Sequence, residues 1–267
     1  RLCLDREVGN SIIFSNQYSF PGENMPNSIR LFEVGGSIRD ELMGIADIPD
    51  RDFCAEAPSW EALESWCFEK MKKVFLVTPE FFTIRGMMPN GTAIDVVMCR
   101  KDGPSSDGRH PDHVEPASLH DDLARRDFTV NAMAREVDPK TLEPIGDIID
   151  PFGGQQDLQT RTLRCVGDTR QRMHEDGLRI IRAARFIVTK ELGPSVDLAR
   201  ELKSSLPWLW MEETVSAERV REELQKMFKN HAVDTIRFLN TSCSHTALEV
   251  LLGRDSKIWL KPTMEKK

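Results

Sequence analysis

The spacing of apolar positions gives the first outline. Residues 31–34 (LFEV) form a short run that predicts a strand; Gly35-Gly36 interrupts it, and 37–44 then reads as a helix. A second strand is expected over 48–55. In SWEALESWCFEKMKK (59–73) a serine stands at the capping position and apolar residues recur at spacings of three and four, which predicts a helix. KVFLVT (73–78), FFTIRG (81–86) and TAIDVVMCR (92–100) are rich in β-branched and aromatic residues and predict strands. Pro89-Asn90-Gly91 supplies the hairpin turn between the last two. Residues 101–117 predict a loop. Beyond 150 the period turns helical, over 174–190, 195–205, 215–229, 231–239 and 245–252. The expected architecture is α+β, with a mixed-sheet head over 1–149 and an all-helical part over 150–267.

Composition adds bounds to this outline. With 267 residues, 40% hydrophobic and 30% charged, the chain can bury a real core and is neither fibrous nor disordered. No apolar run approaches the roughly 20 residues of a membrane helix, so no membrane association is expected. The start, RLCLDREVGN, has neither an initiator Met nor a signal-peptide core, and the natural N-terminus is expected to be missing or processed. Six scattered cysteines without a C-x-x-C pair predict reduced, buried thiols. The compartment is expected to be intracellular, with cytoplasm and organellar matrix not distinguished. The net charge of −7 argues against a protein that coats nucleic acid, but arginine dominates 161–190. That segment can hold phosphates through Arg161, Arg164, Arg170 and Arg172, or it can be a solvated helix face.

The chemistry begins at LFEVGGSIRDELMGIADIPDRDF (31–53). Asp50 and Asp52 stand two apart on a predicted strand, so both carboxylates point to one face. Like charges at that spacing are most readily retained around a divalent cation, here Mg²⁺; the alternative is an exposed edge with solvated acids. Gly35-Gly36 lets the backbone approach a phosphate, and the helix opening near Ser37 favours an anion there. A phosphate cradle beside metal-binding carboxylates is the machinery of nucleotidyl transfer. His110, His113 and His120 lie in or beside the 101–117 loop and are read as loop residues rather than a metal site.

These residues resemble motif A of the polymerase β-type nucleotidyltransferases, in the branch holding class II CCA-adding enzymes and bacterial poly(A) polymerases. The family reads G-G-x-x-R-D-x-L-x-G, then D-x-D; the chain has GGSIRDELMG and DRD. Four further segments follow in the family's order. DLARRDFTVNAMA (122–134) is similar to R-R-D-F-T-x-N-A, DPFGGQQDLQTRTLR (150–164) to the neck-entry motif, EDGLRIIRAARF (175–186) to E-D-x-x-R, and AERVREEL (217–224) to E-R-x-x-x-E.

The resemblance implies a polymerase β-like head, a helical neck and a shortened body. It also implies template-independent extension of an RNA 3′ end, tRNA above all, from CTP and ATP. An ATP-only A-tailing enzyme and a non-catalytic RNA-binding or scaffold subunit are the alternatives. Gly35, Gly36, Arg39 and Asp40 fall in its first motif. Asp95 lies on a neighbouring predicted strand, where the resemblance carried by these motifs implies a third carboxylate, either a general base or an extra ligand. Arg126, Asp127 and Asn131 look like ribose and triphosphate contacts, with Asp127 able to accept from a 2′-OH and Arg125 and Arg126 offering fork donors. Glu175, Asp176 and Arg179 are implied to read the base edge. Asp176, Arg179 and Arg182 recur every third residue, one polar face of a predicted helix, for which an intrahelical salt bridge is the alternative. With a shortened body, a second copy or a protein partner is expected to complete the RNA site.

Overall fold

The computed structural model describes residues 29–45, 51–102 and 114–253, together with 256 and 258. The head runs β1 (Arg30–Val34), α1 (Gly36–Leu42), β2 (Asp52–Glu56), α2 (Trp60–Lys70), β3 (Lys73–Thr78), β4 (Thr83–Met87), β5 (Ala93–Met98), β6 (Arg100–Asp102), β7 (Val114–Pro116), α3 (Leu119–Ala124), β8 (Ala134–Val137) and β9 (Pro144–Ile149). Seven strands form one sheet in the order β3-β4-β5-β2-β1-β8-β9. Within this sheet, among the described residues, β2 and β5 pair in parallel and the other pairings are antiparallel. Alternation along the strands gives two apolar faces. Phe53, Ala55, Ile84 and Val96 pack with Leu63 and Cys67 of α2, and Phe32, Val34, Cys54 and Cys99 pack with Leu119 and Leu123 of α3.

The helical part follows as α4 (Gly154–Gln159), β10 (Thr162–Leu163), α5 (Thr169–Glu175), α6 (Leu178–Lys190), β11 (Gly193–Pro194), α7 (Val196–Lys203), α8 (Leu206–Thr214), α9 (Ala217–Ser242) and α10 (His245–Leu252). At the entry the Asp150 carboxylate caps α4, accepting from the N–H groups of Gly154 (2.7 Å) and Gln155 (2.8 Å). Asp157 accepts the Thr129 hydroxyl at 2.7 Å, tying α4 back to the head. The helical core is built on α6, whose Ile180, Ile181, Ala184 and Val188 meet Trp208, Met211 and Leu224. Phe128 and Val130, from the head's segment before β8, are part of that same core.

Several elements differ from expectation. Residues 174–190 are two helices. Asp176 is extended (φ −145°, ψ 108°) and ends α5, and its carboxylate accepts the Leu178 N–H at 3.0 Å as α6 begins. Gly177 fixes the break by packing on α8: a Cβ there would lie 2.7 Å from Thr214 Oγ1 and 3.0 Å from Met211 Cα. Helix α8 forms despite Pro207, which is tolerated in a first turn because no intrahelical N–H bond is lost there. The expected break near 230 is a kink at His231 (φ −133°, ψ 37°) within α9. The base of the 101–117 loop is a hairpin, with Arg100 opposite Pro116 and Lys101 opposite Glu115; its tip, with His110 and His113, lies outside the described residues. So do 46–50, the start of the strand expected over 48–55. Strands β8 and β9 carry no apolar run that marks them in the sequence.

Candidate active site

The turn between β1 and α1 organises the site. Gly35 has φ 79° and ψ −122°, a conformation that favours glycine. Its N–H donates to the Met133 carbonyl at 3.1 Å, which ties the turn to the segment before β8. What the turn allows is a close approach: a Cβ at Gly35 would lie 2.8 Å from Nη1 of Arg126. Since α1 is only seven residues long, attraction for an anion falls mainly to the arginines gathered under the turn.

Asp52 opens β2 opposite Val34, the last residue of β1. Its register partner on the parallel neighbour is Asp95. Because Phe53, Ala55, Ile94 and Val96 fill the core under α2, alternation turns both aspartates to the other face, side by side at the glycine turn. Asp95 accepts two N–H groups from Arg85, each at 2.5 Å. Asp50 lies outside the described residues, so the D-x-D pair is represented by Asp52. The intervening Arg51 reaches the opposite face, where it pairs with the buried Glu33 through two contacts of 2.9 Å and donates to the Leu142 carbonyl at 2.8 Å. Among the described residues no group of three His, Cys, Asp or Glu side chains is arranged to hold a metal, and His120 packs on the Phe152 ring.

Around the turn the charged side chains form one connected set. Arg39 is buried, donates to Asn131 Oδ1 at 2.5 Å, and holds the Asp40 carboxylate through two contacts of 2.9 Å. Lys190 of α6 reaches the same carboxylate at 2.8 Å. Burial alone would raise the Asp40 carboxyl; Arg39 and Lys190 outweigh it and hold it below the usual range. Asp122, fully buried, receives Arg125 at 2.7 Å and Arg126 at 3.1 Å, and these guanidinium groups likewise overcome burial to keep it low.

Asp127 is the most committed carboxylate. Its Oδ1 accepts from the Phe128 N–H (2.8 Å) and Asn131 Nδ2 (3.0 Å), and its Oδ2 from Arg182 Nε (2.9 Å) and Nη2 (2.6 Å). Burial pushes this carboxyl up, but Arg182 and Asn131 bring it down to about 2. All four acceptor positions therefore go to protein donors, and a ribose hydroxyl gains access only by displacing one of them.

The residues expected to read the base divide differently from the single expected face. The helix break separates Asp176 from Arg179. Arg179 pairs with Glu175 at 2.9 Å and donates to the carbonyls of Arg172 (3.1 Å) and Arg125 (3.0 Å), whereas Asp176 faces Arg219 of α9 at 3.9 Å. Arg182 turns to Asp127, and Arg185, one step further along α6, pairs with the buried Glu223. The Phe186 ring lies under the guanidinium groups of Arg39 (5.0 Å) and Arg185 (4.1 Å). Of the four arginines assigned to RNA, Arg172 is used internally, donating to the Val166 carbonyl at 2.9 Å and pairing with Glu175. Arg164 pairs with Asp157, while Arg161 and Arg170 are exposed.

Asp122, Lys190, Arg185 and Arg85 escaped the sequence reading, whereas Glu223 closes the E-R-x-x-x-E segment singled out there. Asp122 had a signal, three and four residues ahead of Arg125 and Arg126. Lys190 had none, because its partner Asp40 is 150 residues away.

The poly(A) polymerase head domain family matches residues 31–164. A CCA-adding enzyme of Geobacillus thermodenitrificans is 35% identical over 195 residues, covering 73% of this chain and 44% of its own length. The structure of Bacillus stearothermophilus CCA-adding enzyme in complex with CTP is similar at a TM-score of 0.64 and 30% identity, over 79% of this chain and 47% of that one. The Thermotoga maritima CCA-adding enzyme complexed with tRNA aligns at a TM-score of 0.63 and 26% identity, over 83% of this chain and 48% of that one. The chain thus spans about half the length of the relatives it matches. With its glycine turn, Asp52 and the Arg125-Arg126-Asp127 set all inside the matched segment, the chain belongs to the poly(A) polymerase head domain family, the family of class II CCA-adding enzymes and bacterial poly(A) polymerases.

Proposed function

We propose that the chain extends RNA 3′ ends without a template, completing the CCA end of tRNA from CTP and ATP. The observation that carries this reading is the placement of Asp52 and Asp95 in register beside a glycine turn backed by Arg39 and Arg126. Division of the chain into a head over 1–149 and a neck over 150–267 is supported by the last strand of the seven-stranded sheet, which ends at Ile149. The relatives whose structures hold CTP and tRNA support the substrates.

In the proposed reaction the terminal 3′-OH oxygen bonds to the α-phosphorus, the bond from that phosphorus to the β-bridging oxygen breaks, and pyrophosphate leaves. Oxygen-only side chains at Asp52, with Asp50 and Asp95, fit a hard cation such as Mg²⁺. When bound, Mg²⁺ would lower the pKa of the attacking hydroxyl and offset charge on the leaving group. The chain's own residues do the rest. Arg126 and Arg39 supply donors to the phosphates. Arg85 holds Asp95 as an oriented anion, and proton acceptance by Asp95 requires that pair to open. Glu175 and Asp176 at the end of α5 and Arg179 in the first turn of α6 are the base-edge donors and acceptors of this reading, and Arg179 reads a base by giving up a contact to Glu175 or to the Arg172 or Arg125 carbonyl.

The test is incubation of the purified chain with Mg²⁺, one labelled NTP at a time, and tRNA lacking its 3′ end. Incorporation of CTP followed by ATP supports the proposal. ATP alone indicates A-tailing. No transfer, unless a second copy or a protein partner restores it, indicates an RNA-binding or scaffold role. Asp52→Ala is expected to lower transfer at least 100-fold, on the scale of losing a principal electrostatic contribution, with the unfolding temperature unchanged because Asp52 is exposed.

A further inference from the structure

We propose that Asp122 is a positioning residue for the transfer reaction, holding Arg126 beneath the Gly35 turn so that its guanidinium meets the nucleotide's phosphates in one orientation. The inference rests on the reading of that turn as the triphosphate site. Asp122 touches no substrate position itself. Its carboxylate is fully buried on α3, and Oδ1 takes Nε (3.0 Å) and Nη2 (2.7 Å) of Arg125. Oδ2 takes a single nitrogen of Arg126, at 3.1 Å.

The two arginines are thereby made unequal. Arg125 is gripped edge-on, and its carbonyl is further pinned by Arg179. Arg126 is held by one corner. Its Nη1 makes one long contact, 3.4 Å, to the Asn131 carbonyl, and its buried Nε has no hydrogen-bond partner among the described residues. A guanidinium carries five N–H donors, so most of those on Arg126 stay uncommitted while the group itself is fixed. Its side chain keeps 21% exposure, enough for an anion to reach it. One acid between two arginines leaves a single surplus positive charge, which a phosphate oxygen completes.

A purely stabilising role explains this poorly. Burying a carboxylate carries a desolvation penalty, and buried ion pairs contribute little net stability against well-packed apolar residues. Fixing a fork donor at a reacting phosphate is a use for which that cost has a return, since a misplacement of about 1 Å can slow a reaction on the order of 100-fold.

The experiment uses Asp122→Asn in the full chain, with two readouts. The first is steady-state transfer. Loss of orientation with one more net positive charge is expected to lower kcat about tenfold to 100-fold while KM for NTP stays level or falls; Asp122→Glu should recover part of kcat. A kcat within twofold of wild type, or a parallel loss in kcat and NTP affinity, overturns the proposal. The second readout does not need transfer: the Nε–H signal of Arg126 in ¹⁵N NMR, assigned by its disappearance in Arg126→Lys. It should be resolved in wild type, shift when inorganic tripolyphosphate is added, and be averaged away in Asp122→Asn while tripolyphosphate still binds. An unchanged signal in Asp122→Asn overturns the positioning role. If wild type transfers no nucleotide but this signal behaves as expected, the proposed function fails and the positioning role stands. If Asp122→Asn does not fold, Arg126→Lys carries the kinetic arm, and wild-type kcat in that variant overturns the proposal.

Discussion

At the scale of single residues, Asp127 has the sharpest energetic consequence. Its carboxyl is held at about 2 against an ordinary 3.8, because Arg182 and Asn131 overcome the upward push of burial. A depressed folded-state value adds stability that is complete above the unfolded value and is lost as pH falls from about 4 toward 2. The shift corresponds to about 2 kcal/mol. Glu33, Asp40, Asp122 and Glu223 are lowered in the same direction, so acid unfolding should be steep and begin below about pH 4.5. Arg182→Gln should remove most of the Asp127 contribution and move the acid midpoint upward, as read by circular dichroism across a pH series; an unmoved midpoint would show that Asn131 and the Phe128 N–H suffice. The same carboxylate is engaged on both oxygens, so ribose selection should also depend on Arg182. The ratio of NTP to dNTP use is expected to change in Arg182→Gln, and an unchanged ratio would count against any ribose role for Asp127.

At the scale of elements, legibility followed the range of the interactions. Strands β1 and β5 and helix α2 were readable because their apolar spacing and Ser59 cap are local. The Arg125-Arg126-Asp127 stretch was readable as charge, but not as function-specific geometry, since Asp127 is committed by an arginine 55 residues away. The break at Asp176-Gly177 was hidden for the same reason: the residues that demand it, Met211 and Thr214, sit on α8. Gly177 has φ −57° and ψ −23°, values any residue adopts, so only packing requires glycine there. Gly177→Ala should therefore cost about 1–3 kcal/mol through overpacking, and thermal unfolding measures it. A variant as stable as wild type would mean that α8 shifts freely. Arg51 is a further instance. Placed between two acids in the sequence, it looks like an intruder on a metal site, yet strand alternation sends it to Glu33 on the far side of the sheet.

At the scale of the whole molecule, α6 is the member that joins head to neck. Lys190 meets Asp40, Arg182 meets Asp127 and Arg39 lies over Phe186, so the glycine turn and the helix bearing Arg179 are braced by shared side chains. Lys190→Met should loosen this brace and raise KM for NTP severalfold with a small loss of stability, because the pair is mostly buried; wild-type KM would show that Arg182 alone sets the alignment. Any grip on RNA through the arginine-rich segment narrows to Arg161, Arg164 and Arg170. Neutralising all three should reduce the salt slope of RNA binding by about 0.7 for each phosphate no longer neutralised, and equal slopes would place the RNA elsewhere.

Phe128 and Val130 leave the head's segment to complete the helical core, which has a practical outcome for dissection. A fragment ending at Ile149 would carry two large apolar side chains to its surface and strand the Asp127 carboxylate without its arginine. Such a fragment should be recovered as aggregate or as a loosely packed species that binds hydrophobic dye. Limited proteolysis should therefore find no cut between 128 and 165 that leaves two soluble halves.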